Sequence, residues 1–199
     1  WRQGLLLGLF AAAGMLLQND ALHYTQASTS AFLTQMSAIL IPIWIAIRVG
    51  QNPGGRVWTC CLLVLAGVAI LGRFDPFGLA GGGGNAGRFG RGEWETMLSA
   101  VFFMGQILTL DRKDFTGNRV WQITWVMFAA GGVIFWVLAA ATAPDAAALL
   151  VPWTSPAWIV FTATLTIFCT LGSFLLMNAW QPRITATEAG LLYCIEPIF

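Results

Sequence analysis

Glu196 stands directly before Pro197 in the apolar run TEAGLLYCIEPIF. An ionised carboxylate inside a membrane helix is costly unless it meets water, a partner or a proton. Two roles answer that cost. Glu196 faces a cavity, where it binds a cationic or amine group or exchanges a proton. Alternatively, in protonated form, it satisfies the backbone carbonyl that Pro197 frees, or pairs with an adjacent helix. Gln35 lies near the middle of another apolar run, where an unsatisfied amide is expensive. It lines a cavity or makes an interhelical hydrogen bond. Gln106 poses the same choice in a third run. Gln18, Asn19 and Asp20 close one run, and Asn178 lies near the close of another. They form a gate, or they are the polar helix ends that any membrane surface requires. Glu188, close to Arg183, reads as a solvated acid in the first turn of a helix. His23 reads as a loop residue, and Trp44 and Trp136, well inside apolar runs, as packing residues.

Other chemistries lack their residues. Enzymes that work within the bilayer concentrate His, Asp or Ser, and here the single histidine is His23. Cys60, Cys61, Cys169 and Cys194 have neither CxxC nor metal-ligand spacing and read as small packing residues, so no metal or cofactor is expected. Lys113, the only lysine, lies in the charged stretch LDRKDFTGNR, which excludes a retinal Schiff base. In FDPFGLAGGGGNAGRFGRGE no strand precedes the glycines and no Lys-Ser/Thr follows them, so the run reads as a flexible linker and not as a phosphate loop. No ATP-binding motif is present.

The elements that must position these residues are membrane helices. Of the 199 residues, 57% are hydrophobic and 10% charged, and the mean hydropathy is +0.72. A soluble domain carries about 25% charged residues. Seven apolar segments are legible: about Gly4–Leu22, Ala31–Val49, Val57–Leu71, Trp94–Leu110, Val120–Ala143, Ala157–Trp180, and one beginning near Ala186. If Arg2 is cytoplasmic, that side also holds Arg48, Arg56, Arg112, Lys113, Arg119 and Arg183, whereas Arg73, Arg88 and Arg91 share one long loop opposite. Trp58, Trp94, Trp121, Trp153, Trp158 and Trp180 cluster near segment ends, as an interfacial belt does.

The chain also resembles itself. Laid without gaps over 159–199, residues 1–41 give identities at Leu7/Leu165, Phe10/Phe168, Gly14/Gly172, Leu17/Leu175, Ala21/Ala179, Thr29/Thr187, Ala31/Ala189 and Leu33/Leu191. The same alignment pairs Gln35 with Tyr193, two hydrogen-bonding groups at equivalent positions, and Asp20 with Asn178. The two copies run in opposite directions through the bilayer, the symmetry many secondary transporters use for alternating access. A spacing of five helices between copies implies two five-helix halves. Two helices are then expected before Trp1, and the rest of the ninth and a tenth after Phe199. Gly14 and Gly172, with GVAILG at Gly67–Gly72 and AAGG at Ala129–Gly132, are expected to let helix backbones approach closely.

ALHYTQASTSAFLTQMSAILIPIWIAI followed by LLVLAGVAIL resembles the first repeat of the EamA family of the drug/metabolite transporter superfamily. GEWETMLSAVFFMGQILTLDR and NAWQPRITATEAGLLYCIEPIF resemble parts of the second, the Glu-Pro step being the more specific piece. Ile39 stands where the internal alignment puts the proline, with Pro42 three residues on, and Gln51 stands at a position often acidic in the family. The resemblance implies an all-α membrane protein: residues 1–72 as the last three helices of one repeat, 73–92 as linker, and 93–199 as a second repeat cut in its fourth helix. It further implies a gradient-driven transporter of small metabolites, an exporter by expectation, in a bacterial inner membrane. Gln35, Tyr193, Glu196 and Gln106 are the cavity candidates, and Asn19, Asp20 and Asn178 the gate candidates. The expected partners are a small-molecule substrate and the lipid bilayer, without nucleic acid; a homodimer stays open. A membrane-embedded enzyme and a non-transporting seven-helix protein are the alternatives.

Overall fold

The structure, a computed structural model, describes residues 1–50, 54–71, 90–112, 119–145, 147 and 149–193. Glu196, Gln51 and the glycine-rich run through residue 89 lie outside the described residues. Among the described residues the regular structure is entirely helical: α1 (Arg2–Ala21), α2 (Ala27–Thr34), α3 (Ser37–Val49), α4 (Gly55–Leu71), α5 (Arg91–Leu110), α6 (Val120–Thr142), α7 (Pro156–Thr164), α8 (Ser173–Trp180) and α9 (Ala186–Tyr193). Among the described residues, four spans are long and apolar enough to cross a membrane: Arg2–Ala21, Ala27–Arg48, Val120–Thr142 and Pro156–Arg183. A helix rises 1.5 Å per residue, so about 20 residues match a hydrocarbon core of about 30 Å. The first six apolar segments of the sequence appear in helical form, and so does the seventh as far as Tyr193.

Two of them are not simple α-helices. The second is broken between α2 and α3. Gln35 and Met36 N–H groups reach the carbonyls of Phe32 and Leu33, at 3.1 and 3.0 Å, and Ala38 and Ile39 reach Gln35 and Met36, each at 3.0 Å. These bonds span three residues, not four, so the chain tightens here. Pro42, inside α3, has no N–H for the Ala38 carbonyl, and its ring crowds that carbonyl. The sixth segment widens between α7 and α8 into a π-helical stretch, Leu165–Gly172. Thr170 Oγ1 donates to the Leu165 carbonyl, five residues back, at 3.3 Å. The threonine-rich run TATLTIFCT supplies hydroxyls that compete for helix carbonyls, as Thr164 Oγ1 does for Val160 O at 2.8 Å.

The helices form two compact units, Trp1–Ala12 with Arg112–Arg183, and Ala13–Asp111 with Ile184–Phe199. In the first, α6 packs on α8 and on the start of α1. A Cβ added at Gly8 would sit 2.7 Å from the Met127 carbonyl oxygen, so this glycine permits the close crossing. In the second, α5 packs on α2 and α3, and α9 lies against both α3 and α5. The core there is Ile41, Ile107, Ala186 and Ala189, with Ile45, Met104, Leu108, Ile184 and Tyr193 around it. The expected glycine contacts are met only in part. A Cβ at Gly14 would meet the Phe103 ring at 2.9 Å, but at Gly67, Gly131 and Gly132 it would meet nothing within 4 Å. Trp44 and Trp136 are likewise exposed, which corrects their reading as packing residues.

Candidate functional site

In the second unit, polar side chains are buried where α1, α2 and α5 meet. Ser30 and Thr96 share a hydrogen bond of 3.2 Å, and Thr96 also donates to the Gly92 carbonyl. Gln18 Nε2 donates to Thr34 Oγ1 at 3.2 Å, and Thr34 Oγ1 in turn donates to the Ser30 carbonyl at 2.9 Å. Gln35 is 6% exposed and Gln106 3% exposed. Gln35 occupies the break between α2 and α3; Gln106 lies on α5 beside the core residue Ile107; Tyr193 packs against that core from α9. Three of the four cavity candidates thus lie on helices that pack into one unit, and the fourth, Glu196, is outside the described residues. Buried hydroxyls and amides of this kind can hydrogen-bond a polar solute or hold helices together; the neutral set carries no charge of its own.

One end of this unit is tied by charge. Arg91 Nη2 meets Asp20 Oδ2 at 2.7 Å, its Nε donates to Glu95 Oε1 at 2.6 Å, and its Nη1 donates to the Tyr24 hydroxyl at 2.8 Å. Thr25 Oγ1 donates to Glu93 Oε1 at 2.7 Å, and the Gly90 N–H donates to Glu93 Oε2 at 2.9 Å. These bonds hold together the end of α1, the connection from α1 to α2, and the start of α5. At the other end, the Ala186 N–H donates to the Asp111 carboxylate, joining the start of α9 to the end of α5. Glu188 is exposed and forms a reciprocal cap with Thr185: the Thr185 N–H reaches Glu188 Oε2 at 2.9 Å, and the Glu188 N–H reaches Thr185 Oγ1 at 3.3 Å. That is the helix-start role the sequence suggested.

The gate candidates fall in different surroundings. Asn19 is exposed, and Asp20 is engaged by Arg91. Asn178, in the first unit, is 6% exposed; its Nδ2 donates to Thr124 Oγ1 at 3.0 Å, while its Oδ1 is buried with no partner among the described residues. Thr96, Asp111 and Thr124 escaped the sequence reading, and Arg91, counted there as a basic residue of the long loop, is the first residue of α5. For Arg91 a signal existed: Arg91 and Glu95 are four apart in RGEWE, the spacing of a helical ion pair. For Thr96 and Thr124, nothing in sequence separates a hydroxyl bridging two helices from one bonded to its own.

Residues 1–73 match the model of the EamA-like transporter family. The match covers α1 to α4, the part whose broken second helix carries Gln35, and is consistent with membership of the EamA family of drug/metabolite transporters. No curated protein and no solved structure matches the chain. EamA proteins are membrane transporters, and the four apolar spans agree with a multi-pass membrane protein.

Proposed function

We propose that this chain is part of a secondary transporter that moves small metabolites down, or against, a solute or ion gradient by alternating access between two inverted repeats. The observation that carries the reading is Gln35, buried at the break of a membrane span. Discontinuous helices are where transporters of this symmetry place substrate groups, because a broken turn leaves backbone and side-chain polar atoms available at mid-membrane depth. Gln35, Tyr193, Gln106 and Glu196 line the cavity in this reading, and Asn19, Asp20 and Asn178 guard its ends. Export from a bacterial inner membrane is the direction proposed, and a homodimer the assembly to look for.

The test uses inverted membrane vesicles carrying the protein expressed from its complete coding sequence. Uptake of a panel of amino acids, amines and nucleosides is followed under an imposed proton gradient. At least one solute should accumulate above control vesicles, and Gln35→Ala should lower its rate at least about tenfold, the loss of one well-placed polar contact to a buried substrate group. Accumulation unaffected by Gln35→Ala and by Glu196→Gln would remove these residues from the cavity. No accumulation of any panel member would refute the transport reading.

A further inference from the structure

At one end of the first unit, the starts of α1 and α6 enclose a cleft of about 460 Å³. Arg119, Gln3, Gln122, Trp121 and Trp125 line it. Its floor is apolar and closed, because α1 and α6 touch there: a Cβ added at Gly4 would sit 2.7 Å from the Val126 Cβ. We propose that this cleft binds the headgroup of an anionic phospholipid, with the phosphate against Arg119 and the first acyl carbons on the apolar floor.

Depth, charge and shape all point to that occupant. Arg119 directly precedes α6, a 23-residue apolar span, so the mouth of the cleft lies where headgroups lie. Trp121 and Trp125 are 63% and 70% exposed, the placement of indoles that sit among lipid carbonyls and glycerol. The charged residues described in this unit are Arg2, Arg112, Arg119, Arg183 and Asp145, and Asp145 lies beyond the far end of α6. Among the described residues of the unit, no carboxylate therefore opposes an anion at Arg119. The Gln122 amide and the indole N–H groups of Trp121 and Trp125 can supply donors for phosphate and glycerol oxygens, and the volume falls within the range of small-molecule sites, about 300–1,000 Å³. Basic clefts between membrane helices are suited to acidic headgroups for the same reason. The inference needs the chain to be in a bilayer and is independent of transport.

The complete protein, purified in a mild detergent, is titrated with mixed micelles of phosphatidylglycerol or phosphatidylcholine, and bound lipid is counted by native mass spectrometry. Phosphatidylglycerol should bind in preference. Arg119→Gln should weaken its binding about five-fold, the effect of one arginine near a charged membrane surface. Arg119→Lys should restore most of it, and Arg183→Gln, a cation stacked on Trp180 at 4.3 Å elsewhere in the unit, should leave it unchanged. Equal losses in Arg119→Gln and Arg183→Gln would reduce the effect to net charge and overturn the proposal. So would equal binding of the two lipids, or displacement of phosphatidylglycerol by millimolar inorganic phosphate, which would mean that the cleft holds a free anion and no lipid.

Discussion

Asp111 shows how one side chain can join two helices and what that contact does with pH. It follows the last residue of α5 and accepts from the N–H of Ala186, the first residue of α9. Its pKa stands above the ordinary carboxylate value: partial burial raises it, the Ala186 N–H pulls it down, and the nearby Glu188 raises it again. The folded chain therefore holds this proton more tightly than the unfolded chain. Stability from this group rises as pH falls from the raised pKa towards the ordinary value, and the ionised form above that window carries the cost. Asp111→Asn keeps an acceptor for Ala186 and removes the charge. It should match the parent near about pH 4 and exceed it slightly near about pH 7. Asp111→Ala loses the cap and should be less stable at both by about 1 kcal/mol. Unfolding of the complete protein in micelles at the two pH values measures both. An Asp111→Asn variant weaker than the parent near neutrality would mean that the charge favours the α9 terminus more than its burial costs.

At the level of the helix, the glycines separate what sequence can and cannot tell. The seven apolar runs were legible because length and hydropathy alone decide whether a segment crosses a bilayer. The break at Gln35 was not, although Pro42 was in plain view in the same run: a proline announces a bend without saying which turn absorbs it. Small residues were expected to mark helix contacts, and Gly14 does, yet Gly131 and Gly132 face open space while Gly4, Gly8, Gly92 and Gly190 are further tight positions. Composition identifies a glycine; only the partner helix makes it necessary. At Gly8 an added Cβ would meet backbone, the Met127 carbonyl oxygen at 2.7 Å, and also the Ala130 Cβ at 2.9 Å, neither of which can swing aside. Gly8→Val should therefore destabilise the protein by about 1–3 kcal/mol. Gly131→Ala, with nothing within 4 Å, should gain up to about 1 kcal/mol through helix propensity. Chemical or thermal unfolding of both variants in the same detergent decides it; equal losses would mean that Gly131 also has a partner helix in the complete protein.

For the molecule as a whole, packing does not follow the two halves read from self-similarity. α5, from the second half, packs on α2 and α3 from the first, and residues 1–12 of α1 group with 112–183. Self-similarity reports which helices are alike, and contact partners are a separate question. The alternation of helices across the bilayer nevertheless leaves a mark within each unit. Arg91 brings the end of α1, the connection from α1 to α2, and the start of α5 together, and Asn178 near the end of α8 bonds to Thr124 near the start of α6. Ends that alternation assigns to one membrane face are thus found side by side. The direct check is labelling from each face. With Cys60, Cys61, Cys169 and Cys194 changed to alanine in the complete protein, single cysteines are placed by Arg2→Cys, His23→Cys, Gly54→Cys, Arg112→Cys, Asp145→Cys and Arg183→Cys. A membrane-impermeant maleimide should reach positions 23 and 145 from one face and positions 2, 54, 112 and 183 from the other. Labelling of 112 and 145 from the same face would mean that α6 does not cross. The same result for 145 and 183 would mean that the α7–α8 segment does not, and the opposed directions of α1 and its repeat partner, on which inverted symmetry depends, would be lost with it.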